Sequence, residues 1–321
     1  MYITKVPLRV SLIGGGTDLP EFYQKHSGAV VSMAINKYVV VITKRMDPTF
    51  VTASRISYKD VTEYIDDLST IKHDFIRDIL HDFKVDFPVE IVTVADIPGG
   101  GTGLGSSAAT IIGCMAGVDS LGDYTLFGKV PDRMNIAEEA FMLEKKYRHC
   151  GKQDHYAVCY GGARHYQFNQ DGIVTVGPGI NDLCGPLIHR MFLRYTGIAS
   201  DKTERILSEQ SHRQFLGPEM NSITGEFLKG LAKLDYEYCT HCIDASWEIK
   251  KEFSPDVTNE TIDGMMNAMR AVGAGGMKVL GSGGGGFILG FHENRNMLTL
   301  ECPGDYLNVS VDYNGLTTWK V

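Results

Sequence analysis

Residues 98–109 read PGGGTGLGSSAA, five glycines and two serines in twelve positions, directly after VEIVTVAD, a β-branched run that reads as a strand. Bare backbone lets an oxyanion approach closely, and a helix opening at Ser106 turns its unpaired N–H groups and positive dipole end toward the same point. Gly99, Gly100, Gly101, Thr102, Gly103, Leu104, Gly105, Ser106 and Ser107 are therefore a candidate phosphate cradle. The P-loop pattern GxxxxGK[ST] fails here, because Ser106 stands where its lysine belongs. The dinucleotide pattern GxGxx[GA] matches at Gly103, Gly105 and Ala108, with Asp123 twenty residues beyond Gly103. Against a dinucleotide stand the loop's place nearly 100 residues into the chain and the lack of a clear following strand that ends in an acid. Two further glycine loops count against it as well: Gly14-Gly15-Gly16 after LRVSLI, and Gly281-Ser-Gly-Gly-Gly-Gly286 between MKVL and FILGF. Three such loops ask for one explanation.

The elements that must hold these loops are legible in outline. LRVSLI and YVVVITKR read as strands around GGGTDLP and a short helix, EFYQKHSG. Apolar residues at Leu68, Ile71, Phe75, Ile79, Leu80 and Phe83 recur near the 3.6-residue period and predict an amphipathic helix over 68–83. SSAATIIGCMAGVDSL, small and apolar nearly all round, predicts a buried helix against a sheet, its N-terminus at the phosphate loop. A further helix is expected to begin near Pro131 or Asp132 and to break at Gly151. Beyond Gly161-Gly162, β-rich ARHYQF and HRMFLRYTGI precede helices at 203–215, 222–253 and 260–272, with strands near MKVLG, FILGF and YLNVSVD. The expected class is α+β in two domains, residues 1–165 and 166–321.

Composition narrows the partners. The 321 residues carry 31 Lys plus Arg against 39 Asp plus Glu, and a net charge of -8 repels a phosphate backbone or an anionic membrane. The N-terminus has no basic-then-apolar leader and no window reaches the length of a membrane span, so a cytoplasmic protein is expected. Seven irregularly spaced cysteines read as reduced thiols, and Cys239-Thr-His-Cys242 lacks the second pair that a structural zinc site needs.

In order, VPLRVSLIGGGTD (6–18), PGGGTGLGSSAA (98–109) and KVLGSGGGGF (278–287) resemble the three motifs of the GHMP small-molecule kinases, which span nearly the whole chain. PLRVSLIGGGTDLP, GKQDHYAVCYGGARHYQF, YTGIASDKTERIL and GAGGMKVLGSGGGGFIL resemble most closely the heptose 7-phosphate kinase branch. Galactokinases usually carry Glu-His where Gly15-Gly16 stands, which weakens a galactose reading and predicts a roomier sugar pocket. Thr102, where Ser or Gly is commoner, and Ser282, where Ala is usual, are small departures. The resemblance implies an N-terminal α+β domain, a ferredoxin-like C-terminal domain and an active site in the cleft between them. It also implies ATP as phosphoryl donor, Mg²⁺ as cofactor and a sugar phosphate as acceptor, and it leaves a homodimer open.

What the resemblance implies for single residues follows the motifs. Asp154 of GKQDHY, in the loop after the second long helix, matches the catalytic aspartate, and Arg9 is the motif-one cation beside it. Ser107 and Glu144 match the metal ligands. Asp18 is expected to accept sugar hydroxyls, or to cap the helix that follows it, with Gly15, Gly16, Gly283 and Gly284 also against the substrate. A distal 7-phosphate needs a cation, for which Lys152, Arg164, Lys202 and Arg205 are candidates. Another acceptor such as fucose, and a sensor that binds ATP without turnover, are the alternatives; the intact Asp154, Arg9, Glu144 and Ser107 speak against the sensor.

Overall fold

The computed structural model describes residues 1–97, 100–122 and 132–321. Gly99, Asp123 and Pro131 lie outside the described residues. The first β-branched runs become β1 (Tyr2–Ile13) and β2 (Gly28–Arg45), joined through the first glycine loop and α1 (Pro20–His26). They pair antiparallel, with register shifts at Pro7/Leu8, where proline has no N–H to give the ladder, and between Ser11 and Ile13. A hairpin of β3 (Ser54–Tyr58) and β4 (Val61–Ile65), then α2 (Asp74–Asp82) and β5 (Val89–Ala95), lead to the second glycine loop. After it come α3 (Ser106–Asp119), α4 (Arg133–Lys145), α5 (Gln153–Tyr160), β6 (Ala163–Phe168) and β7 (Val174–Gly179).

The remainder is α6 (Asn181–Arg190), β8 (Met191–Tyr195), α7 (Thr203–His212), α8 (Gly217–Ala232), α9 (Tyr236–Phe253) and α10 (Glu260–Ala271), then β9 (Gly275–Val279), β10 (Phe287–Phe291), α11 (Arg295–Glu301), β11 (Tyr306–Leu307) and β12 (Thr317–Lys320). The larger sheet runs β12-β1-β2-β5-β3-β4, with β6 attached to β2 and to β7; the smaller runs β11-β8-β10-β9 and is antiparallel throughout. The mixture of helix and sheet, antiparallel but for the β3–β5 pair, is the α+β class expected. Among the described residues no helix is long and apolar enough to cross a membrane.

Helix α3 is buried almost all round and lies on β1 and β2. Its closeness to the sheet needs glycine: a Cβ at Gly113 would sit 2.7 Å from Val41 Cγ2, and one at Gly117 2.7 Å from Thr43 Cγ2. Gly113→Val is expected to destabilise the protein by about 1–3 kcal/mol through overpacking, read as a lower urea midpoint at unchanged slope.

Several expected elements differ in their bounds. Residues 68–70 form a 3-10 turn capped by Asp67, and Ile71 is extended, so the helix starts only at Asp74. The long 222–253 stretch is two helices, parted by Leu234 at φ 59 and restarted by Asp235, whose side chain accepts from Tyr238 N–H. The 203–215 helix ends at His212, before a second 3-10 turn. Of YLNVSVD only Tyr306–Leu307 is strand, with Val311 bridging to Ile35. Asp154 is not in a loop: it occupies the first turn of α5.

Candidate active site

A cavity of about 340 Å³ opens where the first and second glycine loops, α4 and α5 face the third glycine loop, α7 and α9. Arg9, on β1 and 3% exposed, is its hub. Nε and Nη2 donate to the two carboxylate oxygens of Asp154 at 2.7 and 2.5 Å, and Nη1 donates to the Gly103 carbonyl at 2.5 Å. The Arg9 backbone N–H reaches the Leu104 carbonyl at 3.0 Å. One side chain thus ties the second glycine loop to an aspartate 145 residues away in sequence.

The loops themselves are wedged together. Gly101, Gly103 and Gly105 all have φ +75, a region that L side chains avoid. A Cβ on Gly103 would fall 2.5 Å from the Leu280 carbonyl oxygen, and one on Gly286 2.4 Å from that of Thr102. The second and third glycine runs are therefore each other's packing partners, and the second opens directly onto the N-terminus of α3, while in the third the N–H groups of Gly284 and Gly286 are bonded to the carbonyls of Val257 and Ile198. Thr102, Ser106, Ser107 and Gly283 line the cavity with them, whereas Gly100, Leu104 and Gly284 do not. Leu104 is fully buried and anchors the loop. A Cβ on Gly284 would meet the Asp256 carbonyl at 2.9 Å, so its role is backbone packing.

Asp18 lines the cavity too, and it does not cap α1, where Leu19 holds the cap position without a side-chain bond. Its oxygens accept from Gly16 N–H at 3.0 Å and Gln153 N–H at 3.1 Å. Burial, with the charge of Asp154 next, raises its pKa against the pull of those N–H groups. Gly15 leaves a gap beside Gln153 and Ser11, but the space at Gly16 is filled: a Cβ there would fall 1.6 Å from Gln210 Nε2. The roomier pocket expected from Gly15-Gly16 is thus partly closed by an amide from α7.

Glu144 is 5% exposed, not a solvated acid on a helix face. Burial alone would raise its pKa, but His155, the Ser107 hydroxyl and Arg148 together hold it below the usual carboxylate range. His155 Nε2 lies 2.9 Å from Glu144 Oε2. Ser107 and Glu144 form a hydroxyl and carboxylate pair on the cavity wall, and no cluster of three metal-binding side chains exists among the described residues. Such a sparse set of oxygen donors suits a hard cation that takes its other ligands from phosphates and water.

The four cations considered for a distal phosphate are spent elsewhere, and none lines the cavity. Lys152 is buried on Glu138 at 2.6 Å and the Gly172 carbonyl at 2.7 Å. Arg164 serves the carbonyls of Gly161 and Gly177, and Lys202 and Arg205 pair with Asp256 at 2.7 and 3.1 Å. The cations that do line the cavity, besides Arg9, are Arg148 and Lys250. Sequence reasoning missed both: EKKYRHCGK and SWEIKKEF each hold several charges, and nothing in them marks Arg148 or Lys250.

Residues 70–162, which carry the second glycine loop, Glu144 and Asp154, match the family of GHMP kinases N terminal domains. Over its whole length the chain is similar to a D-glycero-alpha-D-manno-heptose 7-phosphate kinase of Campylobacter jejuni, 26% identical over 349 aligned residues that cover 99% of this chain and 98% of that protein. The GHMP kinase fold is shared with a solved D-glycero-D-manno-heptose 1-phosphate kinase from Bacteriodes thetaiotaomicron, at TM-score 0.80 and 21% identity over 100% of this chain and 99% of that one. It is shared also with Streptococcus pneumoniae phosphomevalonate kinase, solved with phosphomevalonate and AMPPNP, at TM-score 0.76 and 12% identity, covering 97% of this chain and 100% of that one.

Proposed function

We propose that the protein is an ATP- and magnesium-dependent sugar kinase that phosphorylates the anomeric hydroxyl of D-glycero-D-manno-heptose 7-phosphate and yields the 1,7-bisphosphate. The observation that carries the reading is the bidentate Arg9–Asp154 pair locked against the phosphate loop. Phosphoryl transfer needs an oriented nucleophile and fixed positive charge near the transferring group, and this pair supplies both. Asp154 holds the acceptor hydroxyl and takes its proton through the carboxylate lone pairs that Arg9 leaves free. As that proton leaves, the acceptor oxygen bonds the terminal phosphorus and the bond to the donor's diphosphate breaks. The backbone N–H groups of residues 101–107 and the α3 N-terminus receive the donor's phosphates. Asp18 fixes sugar hydroxyls, with Gly15 leaving room beside Gln153. Ser107 and Glu144 would hold the magnesium, which when bound offsets phosphate charge.

In the proposed division, residues 1–165 carry Arg9, Asp18, the phosphate loop, Glu144 and Asp154, and residues 166–321 carry the third glycine loop, α7 and α9, while β7 and β12 return to the larger sheet. A kinase that draws on ATP is placed in the cytoplasm. The relatives named for a 7-phosphate and for a 1-phosphate differ in which heptose phosphate they use. An ADP-release screen over heptose, both heptose phosphates, fucose and galactose tests the reading. ADP release dependent on heptose 7-phosphate supports it; release with the 1-phosphate or a free hexose alone moves the acceptor, and no sugar-dependent release with any of them refutes the kinase.

A separate expectation concerns the cradle. At Gly105 a Cβ would press on Arg9 Cγ at 3.1 Å with φ held at +75. Gly105→Val should weaken AMPPNP binding about tenfold or more while the fold survives, as measured by calorimetry beside a melting curve. Unchanged affinity would place the phosphates elsewhere.

A further inference from the structure

Lys250 projects from α9 into the cavity and is 5% exposed. Its ammonium donates to the Gly281 carbonyl of the third glycine loop, and no carboxylate among the described residues pairs with it. The charged groups facing it are Arg9 from β1, Asp18 from the loop beyond, Asp154 from α5 and Lys278 from β9. Asp154 is already gripped by Arg9, and Asp18 by two backbone N–H groups. Arg9 and Lys250 thus face two carboxylates that are both already bonded, and burial, with Lys250 and Arg9 next, pushes the Lys278 pKa well below the usual lysine range. A buried ammonium that rests on a carbonyl alone is costly to keep charged, and an anion entering the cavity relieves that cost.

Resting on the kinase reading above, we propose that Lys250 is a second cation of the transfer centre, moving its ammonium from the Gly281 carbonyl to a non-bridging oxygen of the phosphoryl group in transit. The acceptor oxygen–phosphorus bond forms, the bond to the donor's leaving oxygen breaks with its electron pair on that oxygen, and the hydroxyl proton goes to Asp154. Lys250 keeps its proton throughout and serves as a compact point charge that an amide or thioether cannot replace. Burial and then Arg9 push its pKa down to about 8, against the opposite pull of Asp18 and Asp154. An arriving phosphate dianion raises it again, so binding above that pH takes up protons at Lys250.

Lys250→Met and Lys250→Arg, with the wild type, test this. Calorimetry of AMPPNP binding at pH 8.5, in buffers of different ionisation heat, should show proton uptake in wild type that Lys250→Met lacks. In turnover, Lys250→Met should lose about a hundredfold in kcat, with AMPPNP affinity within about threefold and an unchanged melting temperature. Lys250→Arg should recover part of kcat and shift the alkaline limb of the rate profile upward. Equal proton uptake in wild type and Lys250→Met, turnover within about threefold of wild type, or an unmoved alkaline limb in Lys250→Arg would each overturn the proposal. So would uptake seen with heptose 7-phosphate alone and not with AMPPNP, since that places Lys250 at the acceptor's distal phosphate. If Lys250→Met does not fold, Lys250→Arg and the proton-uptake experiment in wild type decide. A wild type that binds AMPPNP but turns over no sugar counts against the kinase reading, while the difference in proton uptake still judges Lys250.

Discussion

Asp154→Asn is expected to lower kcat by about a hundredfold or more while AMPPNP affinity stays within a few-fold of wild type. The amide is nearly isosteric, so α5 and the cavity wall should persist. What changes is chemistry: an amide cannot take the hydroxyl proton, and its NH₂ turns a donor toward Arg9, which already donates to both oxygens of the native carboxylate. The loss should therefore appear in kcat and kcat/KM together, as expected when an interaction belonging to the transition state is removed. Some loosening of Arg9 from Gly103 is built into the substitution, so Asp154→Ala, which frees Arg9 entirely, should be no more active. Turnover of Asp154→Asn near the wild-type level would refute the assignment of Asp154 as proton acceptor.

The second large effect concerns the acceptor. The specificity constant for heptose 7-phosphate should exceed those for heptose and galactose by at least about a hundredfold, equivalent to roughly 2.7 kcal/mol of transition-state binding. A distal phosphate dianion needs a cation within the cavity, and Arg9 and Lys250 both face the transfer centre. Arg148 remains, at the cavity wall with its Nε 3.5 Å from Glu144 and its guanidinium over the Phe75 ring. Planar and already oriented by that ring, it is suited to bidentate phosphate recognition. Arg148→Ala should accordingly remove most of the advantage of the phosphorylated over the free sugar, with ATP saturation little changed. Steady-state kinetics on the three sugars decide; equal use of free galactose or heptose would refute the heptose-phosphate acceptor and leave the kinase standing.

What could be read from sequence was local. Alternate glycines at 101, 103 and 105, between a strand and a helix, permit the left-handed backbone found there, and the small apolar residues after Ser106 announce a helix buried almost all round. The association of Arg9 with Asp154 was legible only through motif resemblance, because nothing in residues 145 apart signals contact. Lys250 and Gln210 were invisible for the same reason. Each sits in an amphipathic helix where the period assigns it to a face, but which face meets the cavity depends on how α7 and α9 pack. Lys152 shows the converse: beside a family-like segment it is a candidate cation for a distal phosphate, but it is buried on Glu138 and a carbonyl. The split of the 222–253 helix turns on Leu234, a residue type that gives no warning of a positive φ.

The strand carrying Arg9 has β2 on one side and, on the other, residues 317–320 of β12, where Tyr2 pairs with Lys320. During synthesis from the N-terminus, β1 leaves the ribosome long before that neighbour exists. Until then the outer N–H and C=O groups of its first residues are an open edge, the kind of template on which chains pair wrongly. The sheet that bears the site is thus the first to begin forming and among the last to close, and a chain stopped short of residue 317 would carry every loop of the site on a sheet with an unprotected margin.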